Sequence, residues 1–170
     1  AEIKQENADV EFGYFVDTVI SDTPNAIRVF SQTTDISTFE LVSGEFPTKS
    51  NEVALAQTMA DQYKIGDTIR LNESGSSTLL KEHEFTITGF VNSSELLSKT
   101  IKGVSSAGSG DLSGFAVVPK DTFDSEVYTI VRLRYPDLRK WKTTSHEYVD
   151  KVAQLQQALE EKLADNGKVR

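Results

Sequence analysis

Apolar and polar residues alternate in short runs along most of this chain and settle into a helical stripe only near its end. Val10 to Ile20 (VEFGYFVDTVI) is rich in aromatic and β-branched side chains and predicts a strand, with Gly13 marking a bulge or a close backbone approach. SDTPN makes a turn, and Ala26 to Ser31 predicts a second strand paired with the first as a hairpin. Glu52 to Ala56 (EVALA) predicts a short buried strand, Gln57 to Tyr63 a short helix, and Thr68 to Leu71 a strand entered through Gly66-Asp67. Ser74 to Ser77 predicts a flexible tip. In His83 to Val91 (HEFTITGFV), Phe85 and Ile87 face one way with Gly89, while Thr86, Thr88 and Phe90 face the other.

The pattern then changes. Ser93 to Thr100 suits a short helix, and IKGVSSAGSGDLSG is a Gly/Ser-rich loop, long enough to predict a mobile or functional segment. Phe115 to Val118 predicts a strand ending at Pro119, and Lys120 to Ser125 a turn or short helix. Val127 to Tyr135 alternates, with Val127, Thr129, Val131, Leu133 and Tyr135 opposite Tyr128, Ile130, Arg132 and Arg134. Thr144 with Glu147 three residues on reads as a capping box. Tyr148, Val152, Leu155, Leu159 and Leu163 follow as one apolar stripe, with Gly167 as the stop. Such a helix packs on a sheet or begins a coiled coil, which needs more heptads than the chain holds.

No fixed-period repeat occurs, and strands do not alternate with helices as in a doubly wound sheet. The expected fold is therefore α+β: two lobes, mixed or antiparallel sheets with a few helices, and a long C-terminal amphipathic helix. One lobe is expected from about residues 1–35 and 93–170. The other is a central strand-rich lobe of about residues 36–92.

Composition narrows the classes of function. The 170 residues carry a formal net charge of −8, which repels phosphate backbones and argues against nucleic acid. The charge is uneven: Arg132, Arg134, Arg139, Lys140 and Lys142 gather late in the chain, as a solvated edge or a contact for anionic head groups or an acidic partner. With no cysteine, disulfides and thiolate metal sites are excluded. No apolar run approaches the roughly 20 residues that span a bilayer. The opening AEIKQENADVEF has no apolar leader core, and both ends read as cut from something longer.

Catalytic patterns are scarce. His83 and His146 have no partner at metal-ligand spacing, and no GxSxG elbow occurs. Gly108 to Gly114 (GSGDLSG) departs from a dinucleotide fingerprint: a loop precedes it, a strand follows, and its third glycine comes one position late. No GK[ST] phosphate loop and no DxDxDG calcium loop occur. Ser98-Lys99, Lys102 and Ser105 lie close enough in sequence for a Ser–Lys hydrolase dyad, the enzymatic alternative. The expected protein is a non-enzyme without cofactor or metal. Its contact residues are expected on the loop and the basic edge: Lys102, Asp111, Arg132, Arg134, Arg139 and Lys140.

Four ordered blocks carry a family resemblance. Leu41 to Pro47 (LVSGEFP) matches an L-x-x-G-R-x-P turn, with Glu45 where arginine is common, and Asn51 to Leu55 matches N-E-V-x-L. Ile65 to Leu71 carries G-D-x-I-x-L, and Phe85 to Val91 contains F-x-V-x-G with isoleucine in place of valine. In this order the chain resembles the extracytoplasmic core domain of FtsX-like and MacB-like ABC permeases, over most of its length and strongest over residues 39–91. The remainder resembles a long-domain Gram-positive subgroup. The resemblance implies a domain at the extracellular face of the cell membrane, joined to it through transmembrane helices outside this segment. It implies a separate cytoplasmic ABC ATPase subunit, and motion relayed to a substrate or to an extracellular protein or peptide partner. Peptide or lipoprotein export and antimicrobial-peptide resistance are the implied settings. The other class of reading is a secreted or surface module that binds peptide or glycan.

Overall fold

The computed structural model describes residues 7–73, 78–95, 104–105, 107–108 and 110–168, with backbone alone for 162–168. Among them are nine strands and one α-helix, as an α+β fold requires. The strands are β1 (Asp9–Gly13), β2 (Phe15–Ile20), β3 (Ala26–Ser31), β4 (Phe39–Gly44), β5 (Glu52–Ala56), β6 (Thr68–Glu73), β7 (Glu84–Ser93), β8 (Leu112–Val118) and β9 (Ile130–Arg134). The helix α1 spans His146–Lys168. The expected loop at 74–77 and helix at 93–100 fall wholly or largely outside the described residues.

Seven strands form a mixed sheet in the order β4-β7-β5-β8-β3-β2-β6, and β6 returns to pair with β7. Six strands therefore close into a ring, with β6 on residues 84–86 of β7 and β4 laid along residues 89–93 of the same side. Closure gives each of the six ring strands a partner on both sides and, among the described residues, leaves β4 as the one edge strand of this sheet. The hairpin β2–β3 is antiparallel as predicted, with Phe15 opposite Phe30, while β3–β8 and β5–β7 are parallel. Inside the ring, Ile27, Val29, Val53, Leu55, Leu71, Phe85, Ile87, Val91 and Val117 are all buried. These residues form the continuous core.

Several elements differ from their sequence prediction for local reasons. The run Val10 to Ile20 is two strands, because the chain leaves one sheet for the other at Gly13-Tyr14, where the Tyr14 N–H donates to Ser31 Oγ (2.9 Å). The predicted 57–63 helix shrinks to a 3-10 turn at Gln57–Met59, whose Met59 side chain lies where Gly114 has no Cβ. In β7 the strict alternation fails at Thr88: Val53 pairs with Ile87 and Ala54 with Gly89, so Phe90 joins the core. Strand β8 begins three residues early, at Leu112. The helix cap is Ser145 rather than Thr144, its Oγ accepting the Tyr148 N–H (3.2 Å), and α1 continues through Gly167.

The chain divides into two compact units, residues 11–132, and residues 1–10 with 133–170. The expected boundaries near 35 and 92 fall within the first unit, because β5 and β7 from the expected centre share one ring with β2, β3 and β8. In the second unit the α1 stripe of Tyr148, Val152, Leu155 and Leu159 is half-buried, and the other described side chains of α1 except Val149, a large exposed apolar residue, are polar or small and lie in solvent.

Candidate functional site

Strands β1 and β9 pair with each other in a separate two-stranded sheet. Within the unit of residues 11–132, each is fixed by an ionised side chain at the point where the chain leaves that unit. On β1 the residue is Glu11. Its Oε1 accepts the Thr34 N–H (2.6 Å) and hydroxyl (3.1 Å), and its Oε2 accepts the N–H groups of Asp35 (3.1 Å) and Ile36 (2.7 Å). Partial burial pushes this carboxyl up, but the backbone hydrogen bonds outweigh it and hold it below the ordinary carboxylate value.

On β9 the residue is Arg132. Its Nε and Nη2 donate to the two Glu95 carboxylate oxygens at 2.6 and 3.1 Å, a bidentate pair. The Arg132 side chain is 5% exposed and that of Glu95 30%. The guanidinium also lies 5.7 Å from the Phe30 ring centroid. Its remaining nitrogen, Nη1, is buried without a hydrogen-bond partner among the described residues. Gly13 permits this approach: a Cβ there would stand 2.9 Å from Ser31 Oγ and 3.3 Å from Arg132 Nη1. Burial raises the Glu95 carboxyl, yet its hydrogen bonds to Arg132 and Ser37 and the Arg132 charge hold it below the ordinary value.

The two anchors share a loop. Glu11 caps residues 34–36, Glu95 bonds Ser37, and Ser37 itself is left-handed (φ 55°) with its carbonyl accepting the Thr33 hydroxyl (3.2 Å). Displacing either strand therefore strains the same turn. Both carboxylates are filled by backbone, hydroxyl or guanidinium donors and held ionised, so the cluster suits holding.

The structure scatters the predicted contact residues. Arg132 leaves the surface altogether: of the two faces of β9 the one carrying Arg132 is inward, while Val131 is exposed. Arg134 is half-exposed and pairs with Asp9 (2.8 Å). Arg139 and Lys140 are exposed, the Lys140 ammonium lying 4.5 Å from the Trp141 ring centroid. Asp111 is exposed in an isolated bridge with Val104. Lys102 lies outside the described residues, as do Ser98 and Lys99 of the dyad alternative. Ser105 is buried, its Oγ accepting the Ala107 N–H (3.0 Å). Near it Ala107 is buried and a Cβ on Gly108 would stand 3.0 Å from Pro24 O, while Val104 is exposed. Glu11 and Glu95 carry no sequence signal. Each looks like an ordinary exposed carboxylate until the fold brings its partners from 23 and 37 residues away.

The four sequence blocks meet on β7. Gly44 (φ 77°) and Gly89 lie where the two strands pack backbone to backbone: a Cβ on Gly44 would collide with Thr88 O and Gly89 Cα, and one on Gly89 with the carbonyl oxygens of Ser43 and Glu45. The Asn51 carbonyl accepts the Thr86 N–H (2.9 Å), the Gly66 N–H donates to the Ile87 carbonyl (2.8 Å), and the Ile87 N–H donates to the Asp67 carbonyl (2.9 Å). This arrangement is what the motif order encodes. A family model described as MacB-like periplasmic core domain matches residues 4–158, and the chain belongs to that family. No curated protein matches it. It is thus an extracytoplasmic-type, non-catalytic module of the transporter-associated kind, and domains of this family generally belong to ABC transporter systems that pair with a cytoplasmic ATPase. Among the described residues no group of three or more His, Cys, Asp or Glu is placed to hold a metal.

Proposed function

We propose that this chain is the outer domain of an FtsX/MacB-type ABC permease and relays ATP-driven movement of the permease to a partner or substrate outside the membrane. The match to the MacB-like periplasmic core domain over residues 4–158 carries the reading. The geometry supports it: force arriving on β1 or β9 meets an ionised anchor at Glu11 or Arg132 and passes into one shared turn. A cytoplasmic ATPase subunit supplies the energy, and the family setting favours a peptide or lipoprotein as the moved species.

The Arg132–Glu95 pair gives the test. Glu95→Ala leaves a guanidinium 5% exposed with no countercharge, and costs about 3 kcal/mol. Arg132→Met leaves Glu95, 30% exposed, to recover solvent, and costs about 1 kcal/mol. Arg132→Met is therefore the variant for function, placed in the complete permease with its ATPase. ATP hydrolysis is expected to persist while coupled transport falls. A folded Arg132→Met permease that couples like the parent removes the anchor from the relay. A parent chain without membrane helices or an ATPase partner overturns the permease reading itself.

A further inference from the structure

The unit formed by residues 1–10 and 133–170 carries a surface that the relay does not use. A shallow groove of about 130 Å³ runs between the 3-10 turn Pro136–Lys140 and α1. Tyr135, Leu138, Trp141 and Leu155 line it together with the polar Asn7, Asp137 and Lys151. Beside it stand Arg139, Lys140 and Lys142, all exposed. None of the three has an ion-pair partner among the described residues, whereas Arg134 is engaged by Asp9. From Arg134 to Thr143 four cations face a single carboxylate, Asp137, in a chain whose net charge is −8.

We propose that this segment docks on an anionic phospholipid surface. Two independent features converge on it. The first is charge: three free cations gathered on one exposed turn of an otherwise acidic protein are matched by a sheet of negative head groups, which attracts each of them in parallel. The second is Trp141. Its ring is half-exposed at the mouth of an apolar groove with the Lys140 ammonium 4.5 Å from its centroid. An amphipathic indole flanked by basic residues is the side-chain combination that settles at the boundary between head groups and acyl chains. The three basic residues follow one another along the chain, all exposed, and none of them lines the groove. Spread in this way they suit an array of charges better than a single acidic side chain. The inference rests on the extracytoplasmic setting of the family and does not depend on the relay.

Trp141 is the only tryptophan of the chain, so its emission reports on this place alone. The 170-residue chain is mixed with phosphatidylglycerol–phosphatidylcholine vesicles and with pure phosphatidylcholine vesicles, and both emission and co-sedimentation are followed. A blue shift and co-sedimentation are expected with the anionic vesicles only, and both weaken at high salt. Arg139→Glu with Lys140→Glu weakens binding by about tenfold or more, with Arg139→Gln and Lys140→Gln intermediate and the thermal melt unchanged in each. Trp141→Phe weakens co-sedimentation while keeping the salt dependence. Absence of binding to anionic vesicles overturns the proposal, as does binding that survives the charge reversal. A soluble polyglutamate peptide that shifts Trp141 emission as strongly as the vesicles also overturns it and assigns the surface to an acidic partner.

Discussion

Glu52 is a half-buried carboxylate held well below its ordinary value by its neighbours. One oxygen accepts the N–H groups of Thr48 (2.9 Å) and Lys49 (3.1 Å) and the Thr48 hydroxyl, while the other meets the Lys49 ammonium at 3.1 Å. The Thr48 and Lys49 hydrogen bonds pull it down to about 2 from an ordinary value of 4.5. The folded protein then binds fewer protons at this site than the unfolded chain, so stability rises with pH between these two values. The contribution is complete above about pH 4.5 and is lost as pH falls toward 2. Glu52→Gln is expected to lower the melting temperature at pH 7 and to flatten its fall in that acid window. A melt that falls as steeply in the variant as in the parent would remove Glu52 as a source of the acid sensitivity. Glu11 and Glu95, also held low, keep some acid sensitivity in the variant.

Among the elements, the pairing on β7 is where sequence reading went furthest. Gly44, Asn51, Gly66-Asp67 and Gly89 sit in recognisable blocks because backbone geometry demands particular residues there, and such demands are written locally. At Gly44 a positive φ coincides with a position where a Cβ would strike Gly89 Cα and the Ile65 side chain. Gly44→Ala is expected to cost about 3 kcal/mol, lowering the melting temperature by about 6–12 °C in a thermal melt. A shift within about 2 °C would mean that β4 moves aside freely. The inward face of β9 was less legible. Its alternation defines two faces without saying which is buried, and the choice depends on Glu95 and Gly13, far away in the chain. The boundary at Gly13-Tyr14 was half legible: glycine announced a close approach, but only the partner strands reveal a change of sheet. Ser145 took the cap from Thr144 through a shift of one residue, which side-chain type alone does not fix.

For the whole molecule, protection should be graded. The interior strands β3, β5, β7 and β8 bury nearly every apolar side chain, whereas α1 offers solvent most of its surface and keeps a half-buried stripe. Amides of α1 are expected to exchange roughly a hundredfold faster than those of β8 in native-state hydrogen exchange. Equal protection would show that the helix gains a partner that buries it. The α+β class was legible from the order of strands and the final stripe. The strand order was not, because a closed ring draws strands from both halves of the sequence, and run-by-run patterning carries no record of who pairs with whom.

That interleaving governs how the protein is made. The parallel partner of β3 is β8, so Ala26 meets Leu112 only after most of the domain has been synthesised. A chain that crosses a membrane amino end first delivers the β2–β3 hairpin early, with one flank of β3 unpaired and ready to join another strand. The ring cannot shut until the carboxyl-terminal half arrives. Ring closure is therefore a late event, and until it is complete the unpaired strands are open to misassembly and proteolysis.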